Sequence, residues 1–184
     1  MTNKKIVFLS RPNPFKKEHQ LFIDNLKEFL KKYGIETITL QAANYDLSES
    51  MEYLSKMIKR CYGIIVVGFA QYFIEKGTKK KGAEKNDGFF ESREEIVDMK
   101  SITSPFCQIE GTIGLVNNLP MLVMLEKDTR SEGVLAGGRF CTKTDEFILS
   151  EQSNFFLSKS IEEQILVWIG EVNRLYLFLE SKKV

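Results

Sequence analysis

The sequence predicts an α/β fold, a doubly wound parallel sheet of about five strands flanked by helices on both faces. Three observations carry that expectation. Ile6-Val7-Phe8-Leu9, Ile64-Ile65-Val66-Val67 and Met121-Leu122-Val123-Met124-Leu125 are unbroken apolar runs, the mark of strands buried on both faces. Segments with apolar residues at three- and four-residue spacing alternate with these runs, a pattern that folds into a parallel sheet. With 184 residues and 43% hydrophobic content, the chain is long enough for one complete core. Residues 1–184 therefore read as a single domain with a long insertion at 71–103.

Each element has its own signal. After the first strand, Ser10-Arg11-Pro12-Asn13-Pro14 breaks the ladder, because proline lacks the N–H that a ladder needs. Phe22, Leu26, Phe29 and Tyr33 then recur at helical spacing, with Ile23 and Leu30 widening the stripe. Gly34 is placed to end that helix in the left-handed region. Residues 35–40, with Thr37 and Thr39 between apolar neighbours, fit an edge strand. Residues 41–47 read as a loop. Ser48 reads as the N-cap of a helix to Arg60 that turns Met51, Leu54 and Ile58 inward. The strand at 63–68 is expected at the centre of the sheet. The stretch 71–103 holds Gly77, Gly82, Gly88 and Lys79-Lys80-Lys81, and connections this long are usually functional or disordered. Residues 91–99 within it read as a short helix. Ser104 as N-cap and Pro105 at the first helical position open a helix to about Asn118. An edge strand at 146–149 and a long helix at 161–179 complete the chain. Trp168, Tyr176 and Phe178 give that last helix apolar residues on more than one face, as at a subunit interface.

Composition narrows the function classes. The 26 basic and 25 acidic side chains leave a net charge of +1, which argues against a general nucleic-acid binder. No apolar run reaches the roughly 20 residues that span a bilayer. The amino terminus passes directly into a strand without a signal-peptide core. A cytoplasmic protein with no membrane partner is expected. Cys61, Cys107 and Cys141 show no CxxC spacing, so neither a disulfide framework nor a zinc site is implied. The single His19, expected to be exposed at the start of the first helix, excludes a histidine-rich metal site, and no metal is expected.

In an open α/β sheet, ligands collect outside the carboxyl ends of the strands. Three stretches would meet there: residues 10–15, residues 69–72 and the start of the Pro105 helix. Helical side chains lean toward the amino terminus, so Glu110 hangs back over the first turns toward that crevice. A carboxylate so placed can stabilise positive charge developing on a sugar, or attack it directly. The plainer reading is a solvated carboxylate, or one paired with Arg11 or a lysine. Ser10, Arg11 and Asn13 can bind phosphate or ribose hydroxyls, or simply cap a turn. Phe15, Phe69 and Tyr72 can stack on a base or belong to the core. Gln71, Ser104 and Gln108 complete the candidate substrate-binding set with Asp46, a loop acid that also suits turns for local reasons. Lys79-Lys80-Lys81 reads as a solvated run. Gly137-Gly138 lacks the Lys-Ser/Thr of a phosphate loop. Cys107 is read as a neutral thiol rather than a nucleophile. Cys107, Gly111 and Gly114 form a small-residue strip suited to close packing.

Phe106-Cys107-Gln108-Ile109-Glu110 resembles the aromatic-Cys-x-x-Glu element that opens the third helix of TIR (Toll/interleukin-1 receptor) domains. Tyr45-Asp46 lies where that family has the loop after its second strand. The same pieces, with Asn118 to Val123 leading into a strand, are similar to the nucleoside 2-deoxyribosyltransferases. Both families share a flavodoxin-like core, and the resemblance spans roughly residues 4–126. Phe106 stands where TIR domains usually carry tryptophan, and Gly111 where leucine is common. The TIR resemblance implies cleavage of the nicotinamide–ribose bond of NAD supported by Glu110, with NAD as substrate and no further cofactor. It also implies a homo-oligomer and a nucleotide signal of the kind used in bacterial defence. The second resemblance implies a nucleoside or nucleotide 2-deoxyribosyltransferase or hydrolase with Glu110 as nucleophile. A non-catalytic nucleotide-sensing or scaffold domain is the third reading.

Overall fold

A computed structural model describes residues 4–40, 47–83, 93–138, 141–149 and 158–182. Five parallel strands form the main sheet: β1 (Lys5–Ser10), β2 (Ile35–Ile38), β3 (Ile64–Gly68), β6 (Met121–Leu125) and β7 (Cys141–Lys143). Their order is β2-β1-β3-β6-β7, so β3 is central and β2 is an edge, as expected. The helices are α1 (Lys17–Lys31), α2 (Leu47–Lys59), α3 (Pro105–Val116) and α4 (Lys159–Ser181). This is the doubly wound, flavodoxin-like arrangement that the sequence predicts.

The apolar strands bury both faces because successive side chains alternate across a pleated sheet. Val7, Leu9, Ile65, Val67, Leu122 and Met124 pack under α1 and α4. Phe8, Ile64, Val66, Met121, Val123 and Leu125 form the opposite layer with α2 and α3. Helix α1 ends at Gly34 (φ 71°), whose N–H donates to the Lys31 carbonyl at 3.0 Å. Ser104 caps α3 as expected, its hydroxyl accepting from the Phe106 N–H at 3.2 Å.

Several expectations are corrected. The insertion is a β-hairpin, β4 (Tyr72–Lys79) with β5 (Glu95–Ile102), antiparallel with Tyr72 opposite Ile102 and Lys79 opposite Glu95. Residues 95–99, expected in a helix, are therefore strand; cross-strand pairing with β4 outweighs the local acidic pattern, while residues 84–92 lie outside the described set. The expected edge strand at 146–149 contributes only an isolated bridge between Phe147 and Glu126, and the edge position belongs to β7. Helix α2 starts at Leu47, one residue ahead of the expected Ser48 cap. Trp168 is fully buried against the sheet, and its indole N–H donates to the Pro120 carbonyl at 3.0 Å. It is a core anchor and no part of an exposed interface. Tyr176 packs edge-on to Tyr62, while Phe178 is exposed. No described helix is long and apolar enough to cross a membrane.

Helix α3 lies close on β3 because its inner residues are small. A Cβ on Gly114 would meet Ile64 Cγ2 at 2.6 Å, and one on Gly111 would meet Val134 at 3.0 Å and Val66 at 3.3 Å. Gly114→Ala is expected to destabilise the fold by about 1–3 kcal/mol through overpacking, although alanine is the better helix former. Gly170, in α4 with open space around its Cα, provides the control. Gly170→Ala is expected to stabilise by roughly 0.5–1 kcal/mol. Urea unfolding followed by the fluorescence of Trp168 measures both. A Gly114→Ala protein as stable as wild type would rule out this close α3–β3 approach.

Candidate active site

The direction in which strands are added to the sheet reverses between β1 and β3. From β1 the chain winds outward to β2, then returns to β3 and proceeds to β6 and β7. The carboxyl ends of β1 and β3 therefore flank the crevice that this fold uses for ligands. Ser10 ends β1 and Arg11 follows it, Phe69 and Ala70 follow β3, and Glu126 follows β6. Helix α3 packs on β3 and β1 from the side that Ser10 faces.

Glu110 is the centre of this arrangement. Only 6% of it is exposed. Burial pushes its carboxyl up to about 7 from 4.5, partly opposed by the nearby Ser10 hydroxyl and then by the Arg11 guanidinium. Glu110 is thus neither solvated nor held as an ordinary ion pair. Ser10 is fully buried, and its Oγ lies beside Glu110 without completing a hydrogen bond of good geometry. Arg11 is half-buried between Asp24 and Glu110, and burial pulls its guanidinium below the usual range. One guanidinium nitrogen, Nη1, donates to the Pro12 carbonyl at 3.1 Å, whereas Nε is buried and unpartnered. Buried polar atoms without a protein partner call for water or a ligand to satisfy them. Cys107 sits beneath them, fully buried, with burial first and Glu110 second pushing its thiol up to about 12. Its role is packing.

The other sequence-predicted residues divide. Phe15 is 57% exposed near the crevice, its ring edge-on to His19 at 4.6 Å. Asn13 is exposed on the same loop. Phe69 is fully buried and stacked on His19 at 4.2 Å, so it is a core residue and cannot take a base. Tyr72 is 66% exposed at the root of the hairpin. Gln71 is half-buried, its side-chain amide donating to the Ala70 carbonyl at 3.4 Å. Ser104 is occupied as a cap, and the Gln108 carboxamide is occupied by the Glu132 carbonyl (2.8 Å) and the Val134 N–H (3.1 Å). Asp46 lies outside the described residues. Asn118 and Pro120 lead into the amino end of β6, opposite to Glu110. A cavity of about 460 Å³ opens there, lined by Leu119, Met121, Cys141, Trp168 and Glu171 among others. It shares no residue with the crevice.

Two residues were missed by the sequence reading. His19 is fully buried rather than exposed, because the first turn of α1 is roofed by Phe15 and floored by Phe69. Its Nδ1 accepts from the Phe15 N–H at 3.4 Å. Burial lowers its basicity against the pull of Glu126. Glu126 Oε2 accepts from the Ala70 N–H at 2.8 Å and lies 3.7 Å from His19 Nε2. The strand-end rule alone would have flagged Glu126, the first residue past β6; nothing local in the sequence marks His19 as buried. Among the described residues, no group of three or more His, Cys, Asp or Glu is placed to hold a metal.

No protein-family model matches the chain, and no curated protein matches it in sequence. Among solved structures it is similar to the CMP N-glycosidase BcmB of Clostridium botulinum. The TM-score is 0.50 at 15% identity, over 89% of this chain and 99% of that one. It is also similar to RosB, solved with a bound 8-demethyl-8-formylriboflavin-5′-phosphate intermediate, with a TM-score of 0.46 at 9% identity, over 97% of this chain and 80% of that one. At 15% identity the likeness to BcmB bears on the fold alone.

The raised carboxyl of Glu110 makes a stability prediction with a definite sign. The folded chain holds this proton more tightly than the unfolded chain between pH 4.5 and about 7. The contribution to stability is therefore intact below about pH 4.5 and is lost as pH rises through about 7. Above that window, the ionised buried carboxylate costs on the order of 3 kcal/mol. Glu110→Gln is expected to gain stability relative to wild type as pH rises from 4.5 to 8. Denaturant unfolding of both proteins across that range checks it, and parallel pH profiles would contradict it.

Proposed function

We propose that the chain is an enzyme that cleaves the N-glycosidic bond of a nucleotide, with Glu110 facing the ribose. The carrying observation is the buried Glu110 carboxyl, with a pKa of about 7, beside the unpartnered Ser10 hydroxyl in the switch-point crevice. Its ionised form attacks C1′ of the ribose while the C1′–N bond breaks, and the departing base takes a proton from solvent. Water then cleaves the glycosyl–Glu110 ester, releasing the sugar phosphate and regenerating the carboxylate. Burial in a poorly hydrated pocket strengthens the attraction between the carboxylate and the positive charge developing on the sugar. Arg11, with a buried unpartnered Nε, supplies the donor and charge for a 5′-phosphate. The fold likeness to a CMP N-glycosidase, covering almost all of that protein, supports this reading.

A second reading is an NAD glycohydrolase of the TIR type, with self-association and a nucleotide signal. It draws on the Phe106-Cys107-x-x-Glu110 spacing, and on Cys107 lying beneath the glutamate against the Val67 carbonyl at 3.8 Å. The nicotinamide–ribose bond belongs to the same chemical class, so one panel tests both readings.

Incubation with CMP, dCMP, UMP, AMP, their nucleosides and NAD, with released base followed by chromatography, is the direct assay. Release from a nucleoside monophosphate is expected. Release of nicotinamide alone would move the assignment to the second reading, and no release with retained binding would leave a nucleotide sensor. Glu110→Gln is expected to lower kcat roughly 10²–10⁴-fold, and the wild-type rate is expected to rise as pH passes through about 7. Arg11→Gln is expected to raise KM for the monophosphate by about tenfold or more, a charged hydrogen bond being worth roughly 1.5–3 kcal/mol. The corresponding nucleoside should be unaffected.

A further inference from the structure

Glu126 has no part in the chemistry assigned to Glu110, yet it stands at the same edge of the sheet. Its Oε2 is fixed by the Ala70 N–H and faces His19 Nε2. Its side chain is 14% exposed, and Oε1 makes no hydrogen bond among the described residues. Behind it, His19 is immobilised on three sides by the Phe15 N–H on Nδ1, the stacked Phe69 ring and the edge-on Phe15 ring. Because Nδ1 accepts a hydrogen bond, the neutral ring carries its proton on Nε2, which points at the carboxylate. Nε2 is fully buried and has no hydrogen-bond partner of its own. The Ala70 N–H therefore holds one carboxylate oxygen, His19 stands beside that oxygen at 3.7 Å, and the other oxygen remains for a ligand.

The position also fits. Arg11 follows β1 and Glu126 follows β6, with β3 between them. Two strand spacings separate these positions by about 10 Å, comparable with the span from the 5′-phosphate of a nucleotide to the far edge of its base. A nucleotide with its phosphate at Arg11 and its C1′ at Glu110 would carry its base along these strand ends, past Ala70, toward Glu126. An ionised carboxylate only accepts hydrogen bonds, so it selects a base that presents a donor on that edge. An exocyclic amine does so; the carbonyl at the same position of uracil does not.

We infer that Glu126 is the specificity-determining residue of the site, accepting a hydrogen bond from the exocyclic amine of the substrate's nucleobase, with His19 as a positioning residue behind it. The inference rests on the proposed nucleotide N-glycosidase reading and names the class of base it takes, cytosine or adenine over uracil. A glutamine at 126 can rotate its amide and offer a donor, so Glu126→Gln is expected to reduce the CMP-over-UMP preference by at least tenfold. The change should lie in KM and leave kcat for CMP within about threefold. His19→Phe keeps the stacked ring but removes Nε2–H, and is expected to move the same ratio in the same direction by a smaller factor.

Two measurements keep the inference separable from the reading beneath it. Calorimetric titration of the Glu110→Gln protein with CMP and UMP reports base preference without turnover, and base release reports the reaction. Preferential CMP binding that Glu126→Gln abolishes supports the inference even where wild type releases no base, a result that would sink only the glycosidase reading. Equal CMP and UMP binding by the Glu126-containing protein overturns it. So does a Glu126→Gln protein that loses kcat equally on every nucleotide, since Glu126 would then merely hold the Ala70 loop.

Discussion

The close seat of α3 on β3 is the constraint on which the site depends. Gly111 and Gly114 bring the helix backbone almost to the Val66 and Ile64 side chains. Each glycine costs a helix roughly 0.5–1 kcal/mol relative to alanine, an expense offset by close contact with the sheet. Glu110 immediately precedes the first of these glycines, so the depth of the helix is also the depth of the carboxyl. A helix lifted by larger residues would open Glu110 to water, and the desolvation that raises its pKa would fade. The packing of the core and the protonation of the site are one geometric fact.

Burial wins over charge pairing around Glu110 for a reason visible in its neighbours. Arg11 divides its attraction between Asp24 and Glu110 and is itself partly desolvated. A shared, half-buried guanidinium cannot repay the full cost of removing a carboxylate from water. The result is a carboxyl poised near neutrality, where a modest gain in local positive charge tips it toward the ionised state. The unpartnered Ser10 Oγ and Arg11 Nε mark the same crevice as under-satisfied. Under the proposed N-glycosidase reading, fixed polar groups of this kind would lose little by reorganising as charge develops beside them, which is where preorganised sites derive most of their effect.

The fold was legible because its signals are local and repeated. Continuous apolar runs at β1, β3 and β6, Gly34 behind α1, and Ser104-Pro105 before α3 each specify backbone geometry from a few residues. The hairpin was not, because β4 and β5 are mostly exposed and owe their strand conformation to each other. Their side chains carry no burial pattern to read, and the acidic run at 94–95 suits a helix start as well as a strand. At the site, Glu110, Ser10 and Arg11 followed from where strands end and helices begin. Phe69, His19 and Trp168 did not, since whether an aromatic ring faces ligand, solvent or core is decided by partners distant in sequence. His19 is buried by Phe69, fifty residues away in the chain, and Trp168 is held by Pro120.

The hairpin's attachment explains how a long insertion coexists with an intact crevice. Its two ends meet at once, with the Gln71 N–H donating to the Ile102 carbonyl at 2.8 Å. The loop after β3 and the end of β5, which leads into the Ser104 cap of α3, are thereby joined, however much chain lies between them. Ser101, next to that bond, exchanges backbone hydrogen bonds with Asp128 and Arg130 in the stretch after β6. Lys100 adds an ion pair to Asp128 at 3.7 Å. The root of the hairpin thus clamps the segments that carry Ala70, Glu110 and Glu126, and at the outer end of β4 Lys79 pairs with Glu132 at 3.6 Å. Because closing a loop costs only slowly more as its length grows, residues could be added at the far end with little effect on the site. Changes at Ser101 or Ile102 would act on all three site segments together.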